Sequence, residues 1–210
     1  MVASARKVAA WVLGVFKDRS KTTMLQLWKS LIRFRLEYCC ALWNPQKIDD
    51  IQAIEDTQRY FTKRITHVKD KTYWDRLKIL GLHSLQRRRE RYIIIHAWKI
   101  HNNLAPNDIN MEFYHHPRLG WRAKLPKLDS KATQAAKTLL DSSFAVHGAK
   151  LWNILPEEVN TVDKLAAFKI VLAKFLDRIP DNPPVRGYST TNTNSIISWC
   201  NQPGGLREKL

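Results

Sequence analysis

Two adjacent carboxylates, Asp49-Asp50, are the first residues here whose types and spacing suit chemistry. Neighbouring carboxylates can hold the divalent ions that drive nucleotidyl transfer. These two follow Lys47 and Ile48 rather than an aromatic residue, and they open an amphipathic run through Ile51, Ile54, Gln58, Phe61 and Ile65. Negative charge favours the start of a helix, so the position predicts a helix N-terminus and not a metal site. Nucleophilic chemistry lacks its local signature: no Gly-x-Ser-x-Gly elbow is present, nor a phosphate-cradling loop among the seven glycines. Cys39 and Cys40 fall in an apolar stretch, which predicts buried structural thiols. His115-His116 has no zinc-binding spacing with a Glu between, and His96 and His101 do not share a helix face. The expectation is a chain with no catalytic residue, metal site, cofactor or small-molecule substrate of its own.

The basic residues carry more. Lys plus Arg is 35 against 19 for Asp plus Glu, a net charge of +16. Such a field attracts polyanions before any specific contact forms. Arg87, Arg88, Arg89 and Arg91 crowd one helical turn, Lys63 and Arg64 end a long amphipathic run, and Arg122 and Lys124 flank Trp121. Guanidinium forks match phosphate oxygens, and a Trp among cations can stack on a base. Lys63, Arg64, Arg87, Arg88, Arg91, Arg122 and Lys124 are therefore the expected phosphate contacts, with Trp121 as a stacking platform. The plainer alternative for each cluster is a solvated helix face with local partners such as Glu90; for the Arg87–Arg91 run the two weigh evenly. An acidic membrane is a weaker partner than nucleic acid, because no polybasic block adjoins a long apolar segment and no run of about 18 apolar residues occurs. Three cysteines give no disulfide framework, and the apolar start, Met1 to Phe16, lacks a clear cleavage site; both fit an intracellular protein, nuclear or cytoplasmic.

A folded frame must carry these side chains. Hydrophobic residues make up 44% and aromatics 10%, enough for a core and against wholesale disorder. Apolar residues recur at helical spacing from Val8 to Val15, and again at Met24, Leu27, Trp28, Leu31 and Ile32 behind a cap at Thr22 or Thr23. A helix from about Thr72 should stop at Gly81, and Ser84 should cap the next. Phe144 to Trp152 reads as a short helix and Thr161 to Arg178 as a longer one. No convincing strands appear, so the class is mainly α, with Trp28, Trp43, Trp152, Leu155 and Phe168 in the core. The expected organisation is one helical domain over 1–104 and 144–180, a long basic loop at 105–143 and a disordered tail at 181–210.

One ordered series of motifs adds a family. Leu27-Trp28-Lys29-Ser30-Leu31-Ile32-Arg33 is followed by Leu36-Glu37-Tyr38-Cys39 and Leu42-Trp43-Asn44-Pro45. Ile54-Glu55, Gln58-Arg59 and Thr62-Lys63 come next, then Arg76-Leu77, Leu80-Gly81-Leu82 and Ser84-Leu85 ahead of Arg87-Arg88-Arg89. Leu151-Trp152-Asn153, Leu155-Pro156-Glu157-Glu158-Val159 and Phe168-Lys169 close the series. Over about Ala3 to Arg178 this order resembles the region after the catalytic domain in non-LTR (LINE-type) retrotransposon reverse transcriptases of the jockey and CR1 kind. The resemblance implies a thumb-like domain of about six helices that grips template–primer or element RNA. It also implies a parent RNA-directed DNA polymerase that uses Mg, whose aromatic-x-Asp-Asp hairpin lies upstream of the segment seen here. The sequence departs from the family at Arg33-Phe34-Arg35, where Arg-Pro-His is usual, and after Pro180, where no counterpart is found.

The leading expectation is a nucleic-acid-binding fragment of such an enzyme, with RNA or an RNA–DNA hybrid as partner. Its rivals are a translated remnant without function, a part that complements a separate catalytic reverse transcriptase domain, and a helical module that binds an acidic protein.

Overall fold

Met24, Trp28, Ile32 and Leu36 recur every four residues, and all four are fully buried in the computed structural model, which describes residues 1–127, 131–188 and 194–201. A strict four-residue repeat drifts around an ordinary helix of 3.6 residues per turn. The chain corrects the drift with a wider turn: α2 (Lys21–Leu27) runs through a π-helical turn at Trp28–Ile32 into α3 (Arg33–Glu37). The Ser20 side chain caps α2 by accepting from the Thr23 backbone N–H, so the cap lies at Ser20 and not at Thr22 or Thr23 as the sequence suggests. Against this stretch lies α1 (Val2–Val15), burying Ala5, Ala9 and Val12. After the one-turn α4 (Cys40–Trp43), α5 (Ile48–Thr62) begins with Asp49 and Asp50 in its first turn, as expected of helix-starting charge. The next helix, α6 (Tyr73–Leu80), is capped by Thr72 and ends at Gly81, whose φ of 63° is the left-handed conformation that position demands.

The chain divides into two compact units. The first comprises Met1–Cys40, Pro45–Arg89 and Asp181–Asn194; the second comprises Ala41–Asn44, Glu90–Pro180 and the chain from Ser195. The division falls inside the continuous helix α7 (Leu85–His101), where no turn signal marks it. It therefore differs from the single helical domain over 1–104 and 144–180 that the sequence suggests.

In the second unit, the Trp98 and Phe168 rings stack at 5.3 Å beside Trp152, among Ile94, Leu155 and Leu172. Its helices are α8 (Gln134–Ser142), α9 (Phe144–Trp152), α10 (Glu157–Asn160), α11 (Leu165–Asp177) and α12 (Ile196–Cys200). The expected basic loop instead holds an antiparallel hairpin, β1 (Phe113–His116) and β2 (Gly120–Ala123), and then α8. Side chains build this hairpin. Asn153 accepts from the Ala123 N–H and donates to the Ala123 carbonyl, both at 2.8 Å, in place of a third strand. Asn160 accepts from the Trp121 N–H at 3.0 Å and donates to the Leu119 carbonyl at 2.9 Å. Gly120 sits at φ 70°, and a Cβ there would meet the Asn160 Oδ1 at 2.3 Å.

The fold is mainly α, as the sequence predicts, with more and shorter helices than the six expected. No helix among the described residues is long and apolar enough to cross a membrane. The expected disordered tail is corrected for residues 181–188 and 194–201. Val185, Ile196 and Cys200 there are buried, because apolar side chains among the polar ones still find cores. Residues 189–193 and 202–210 lie outside the described residues. Trp28, Trp152, Leu155 and Phe168 are buried as expected, whereas Trp43 is only half-buried at the end of α4. Cys40 is buried, but Cys39 is exposed at a positive-φ bend and corrects the expectation of two buried thiols.

Candidate nucleic-acid interface

Most of the arginines singled out in the sequence turn inward. Arg87 is 1% exposed: its backbone N–H takes the Ser84 cap at 2.9 Å, and its guanidinium donates to the Asn194 carbonyl at 3.1 Å. Arg88 clasps the Glu37 carboxylate through Nε and Nη2. Arg91 is half-buried. Arg122 is buried and donates to the Leu155 carbonyl at 2.8 Å, fixing the hairpin to the loop before α10. Arg87 and Arg122 are thereby withdrawn from the expected phosphate contacts, and Arg88 is already bound to a carboxylate. A long guanidinium with five donors can satisfy several buried carbonyls at once, which is why arginine serves the interior here.

The second expected cluster is corrected as well. Trp121 is half-buried, with its ring 4.5 Å from His101 and 5.3 Å edge-on from His115, so it is part of an aromatic cluster and not an open platform. Lys124 is exposed, but its Nζ lies 2.6 Å from Glu112. That hydrogen bond raises the lysine pKa and lowers the glutamate's.

Lys63 and Arg64 stay outside. Both are exposed where α5 ends, and the Arg64 guanidinium lies over the Tyr60 ring at 5.2 Å from its centroid. Lys63 opens onto a groove of about 1000 Å³ in the first unit. The same groove receives Lys69 and Lys71 from the turn between α5 and α6, together with the rings of Tyr60, Trp74 and Tyr188. Lys63, Lys69 and Lys71 are exposed, and no carboxylate pairs with them among the described residues. Acid is present too: Asp56 is held by Arg59 at 3.2 Å, and Asp70 is exposed between the two lysines.

One buried side chain holds this turn. Arg76, 4% exposed on α6, donates to the Arg59 carbonyl at 3.2 Å, to the Lys71 carbonyl at 2.9 Å and to Thr62 Oγ1 at 3.3 Å. It thus adds a side-chain donor to the Arg59 carbonyl, which also accepts from the Lys63 N–H at the end of α5, and pins the segment that bears Lys69 and Lys71. Burial lowers the Arg76 pKa. Beside it, the Glu55 carboxylate is buried and accepts from the Tyr73 hydroxyl at 2.7 Å and the Gln86 N–H at 2.8 Å. Burial pushes its pKa up to about 7 against the opposing pull of Arg89.

Asp49 and Asp50 are exposed, and no three His, Cys, Asp or Glu side chains converge as a metal site would require among the described residues. The residues present do not fit the Mg that the family resemblance implies for its parent enzyme. Compared with known proteins, the chain matches no family model, no curated protein and no solved structure.

The sequence pointed to Lys63 and Arg64 but missed Lys69, Lys71, Tyr60 and Tyr188. A usable signal existed: Lys63-Arg64 and Lys69-Asp70-Lys71 concentrate charge in a turn, where side chains are rarely needed for packing.

Proposed function

We propose that this chain is the nucleic-acid-binding, post-catalytic fragment of a non-LTR reverse transcriptase. It grips RNA or an RNA–DNA hybrid by the backbone and carries no polymerising centre of its own. The observation that carries the reading is the groove at the end of α5, where Lys63, Lys69 and Lys71 stand exposed beside Asp56 and Asp70 and form no salt bridge among the described residues. A net charge of +16 raises the local concentration of any polyanion around it. The ordered motifs from Leu27 to Lys169 support the family, and a catalytic reverse transcriptase domain, which would bring its own Mg, is the partner such a fragment serves.

Fluorescence anisotropy of the full chain with structured RNA, an RNA–DNA hybrid and duplex DNA across a salt series tests this. Binding should weaken steeply with salt and favour RNA or hybrid. The triple variant Lys63→Ala/Lys69→Ala/Lys71→Ala should flatten the log–log salt slope by about 0.7–0.9 per lost contact. An unchanged slope in the triple variant would remove the groove from the interface. Absence of binding at low salt would remove the function.

A further inference from the structure

The groove that binds polyanions in this reading also has the make-up of a base-stacking site, and this second step rests on the first. Its volume, about 1000 Å³, is that of a cleft for a small ligand. A duplex needs a contact surface of roughly 1,000–2,500 Å² and meets such a cleft only at its rim, through the backbone, whereas a few nucleotides of one strand can enter it. Single strands are held by a cationic track combined with aromatic faces on which bases stack, since every base offers a π-face. Both parts are here. Lys63, Lys69 and Lys71 supply the track, and the exposed rings of Tyr60 and Tyr188 supply faces, at 44% and 81% exposure.

We infer that this groove takes a single-stranded segment of nucleic acid, with phosphates on the three lysines and bases stacked on Tyr60 and Tyr188. Tyr60 is prepared for the task. Arg64, in the turn just after α5, lies over the Tyr60 ring at 5.2 Å from its centroid and does not itself line the groove, so it leaves the groove side of the tyrosine unobstructed. A ring fixed in this way loses little freedom when a base arrives. Arg64 is accordingly a positioning residue. Trp74 also lines the groove, but it is half-buried, with its indole N–H donating to the Pro183 carbonyl at 3.0 Å, and offers less open ring than the two tyrosines. The carboxylate of Asp70 can accept from an exocyclic amine, so bases bearing amino groups are admitted too. An acidic peptide, the rival occupant, would use the lysines but has no need of two open rings.

The test uses the full-length chain and its Tyr60→Ala, Tyr188→Ala and Arg64→Ala variants, each first shown to keep the helical circular dichroism of the parent. The probes are a fluorescein-labelled oligouridylate, the oligothymidylate of the same length, and a fully paired RNA–DNA hybrid of that length. Each tyrosine variant should bind the single strands about fivefold or more weakly, with the salt slope and the hybrid affinity unchanged, because stacking carries no counterion release. Arg64→Ala should weaken single-strand binding less than either. Equal single-strand affinity in parent and tyrosine variants overturns it, as does an equal loss for single strand and hybrid. Binding of a poly-glutamate peptide that matches the single strands and ignores the tyrosines also overturns it. A parent chain that binds hybrid but no single strand sinks this inference alone. A parent that binds no nucleic acid sinks the function reading with it.

Discussion

Glu55 shows how a single buried acid ties folding to pH. Its carboxyl has a folded pKa near 7, against the ordinary 4.5, because burial disfavours the charge. A raised pKa means the folded state holds the proton more tightly. The contribution is fully present below about pH 4.5, falls as pH rises, and is gone above about 7. His147 runs the other way. Burial lowers its pKa to about 4, so its contribution is present above 6.5 and lost as pH falls toward 4. The two partly cancel in the wild-type profile, and only a difference between variants separates them. Urea unfolding of wild type and Glu55→Gln between pH 4.5 and 7 should show wild-type stability falling relative to the variant by about 1 kcal/mol per pH unit. Parallel profiles would mean that Glu55 does not titrate in this range. The same residue scale explains why the arginine run misled. From sequence, Arg87 and Arg88 differ from surface arginines in nothing; their partners, Asn194 and Glu37, lie far away along the chain.

Elements were legible in the sequence where their signals were local. Gly81 ends α6 and Ser84 caps α7, each at the position its residue type predicts. The hairpin was not legible, because its strands are only four residues each and owe their pairing edge to Asn153 and Asn160, supplied by distant segments. Strands that short lack the alternating pattern that announces a half-buried sheet. Gly120 is the exposed nerve of this arrangement. Gly120→Ala would place a Cβ within 2.3 Å of Asn160 Oδ1 at a φ that favours glycine. The expected cost is about 1–3 kcal/mol, read as a lower urea midpoint with an unchanged m-value. A variant with wild-type midpoint would show that the hairpin reshapes freely, and Asn160 would not be its anchor. The candidate groove was half legible for a similar reason: the end of α5 was visible from its pattern, but the turn that returns Lys69 and Lys71 is held by Arg76, a residue of the next helix.

At the scale of the whole molecule, residues 181–188 and 194–201 matter more than their composition suggests. Asn194 donates to Ser84, Gln86 and Asp181 in the first unit, where Val185 joins Tyr73 and Leu77. In the second unit, Ile196 and Cys200 enter the core, and the Ile196 N–H donates to Glu90 at 3.1 Å. Burial of Val185 and Ile196 alone contributes about 3–6 kcal/mol, a large part of the stability of a domain this size. Truncation after Pro180 should therefore lower the melting temperature strongly or leave the chain aggregated, as seen by differential scanning calorimetry. A truncated chain that melts as the parent does would return the segment to the status of a tail.

The discontinuous make-up of the first unit also sets an order of events in time. Its last stretch, Asp181–Asn194, leaves the ribosome only after nearly all of the second unit has emerged. At roughly 5–20 residues per second, the 91 residues from Glu90 to Pro180 take about 5–18 seconds to synthesise. Through that interval the nascent first unit lacks the Val185 contact with Tyr73 and Leu77 and the Tyr188 side of its groove. The nascent chain thus exposes apolar surface before its groove is finished.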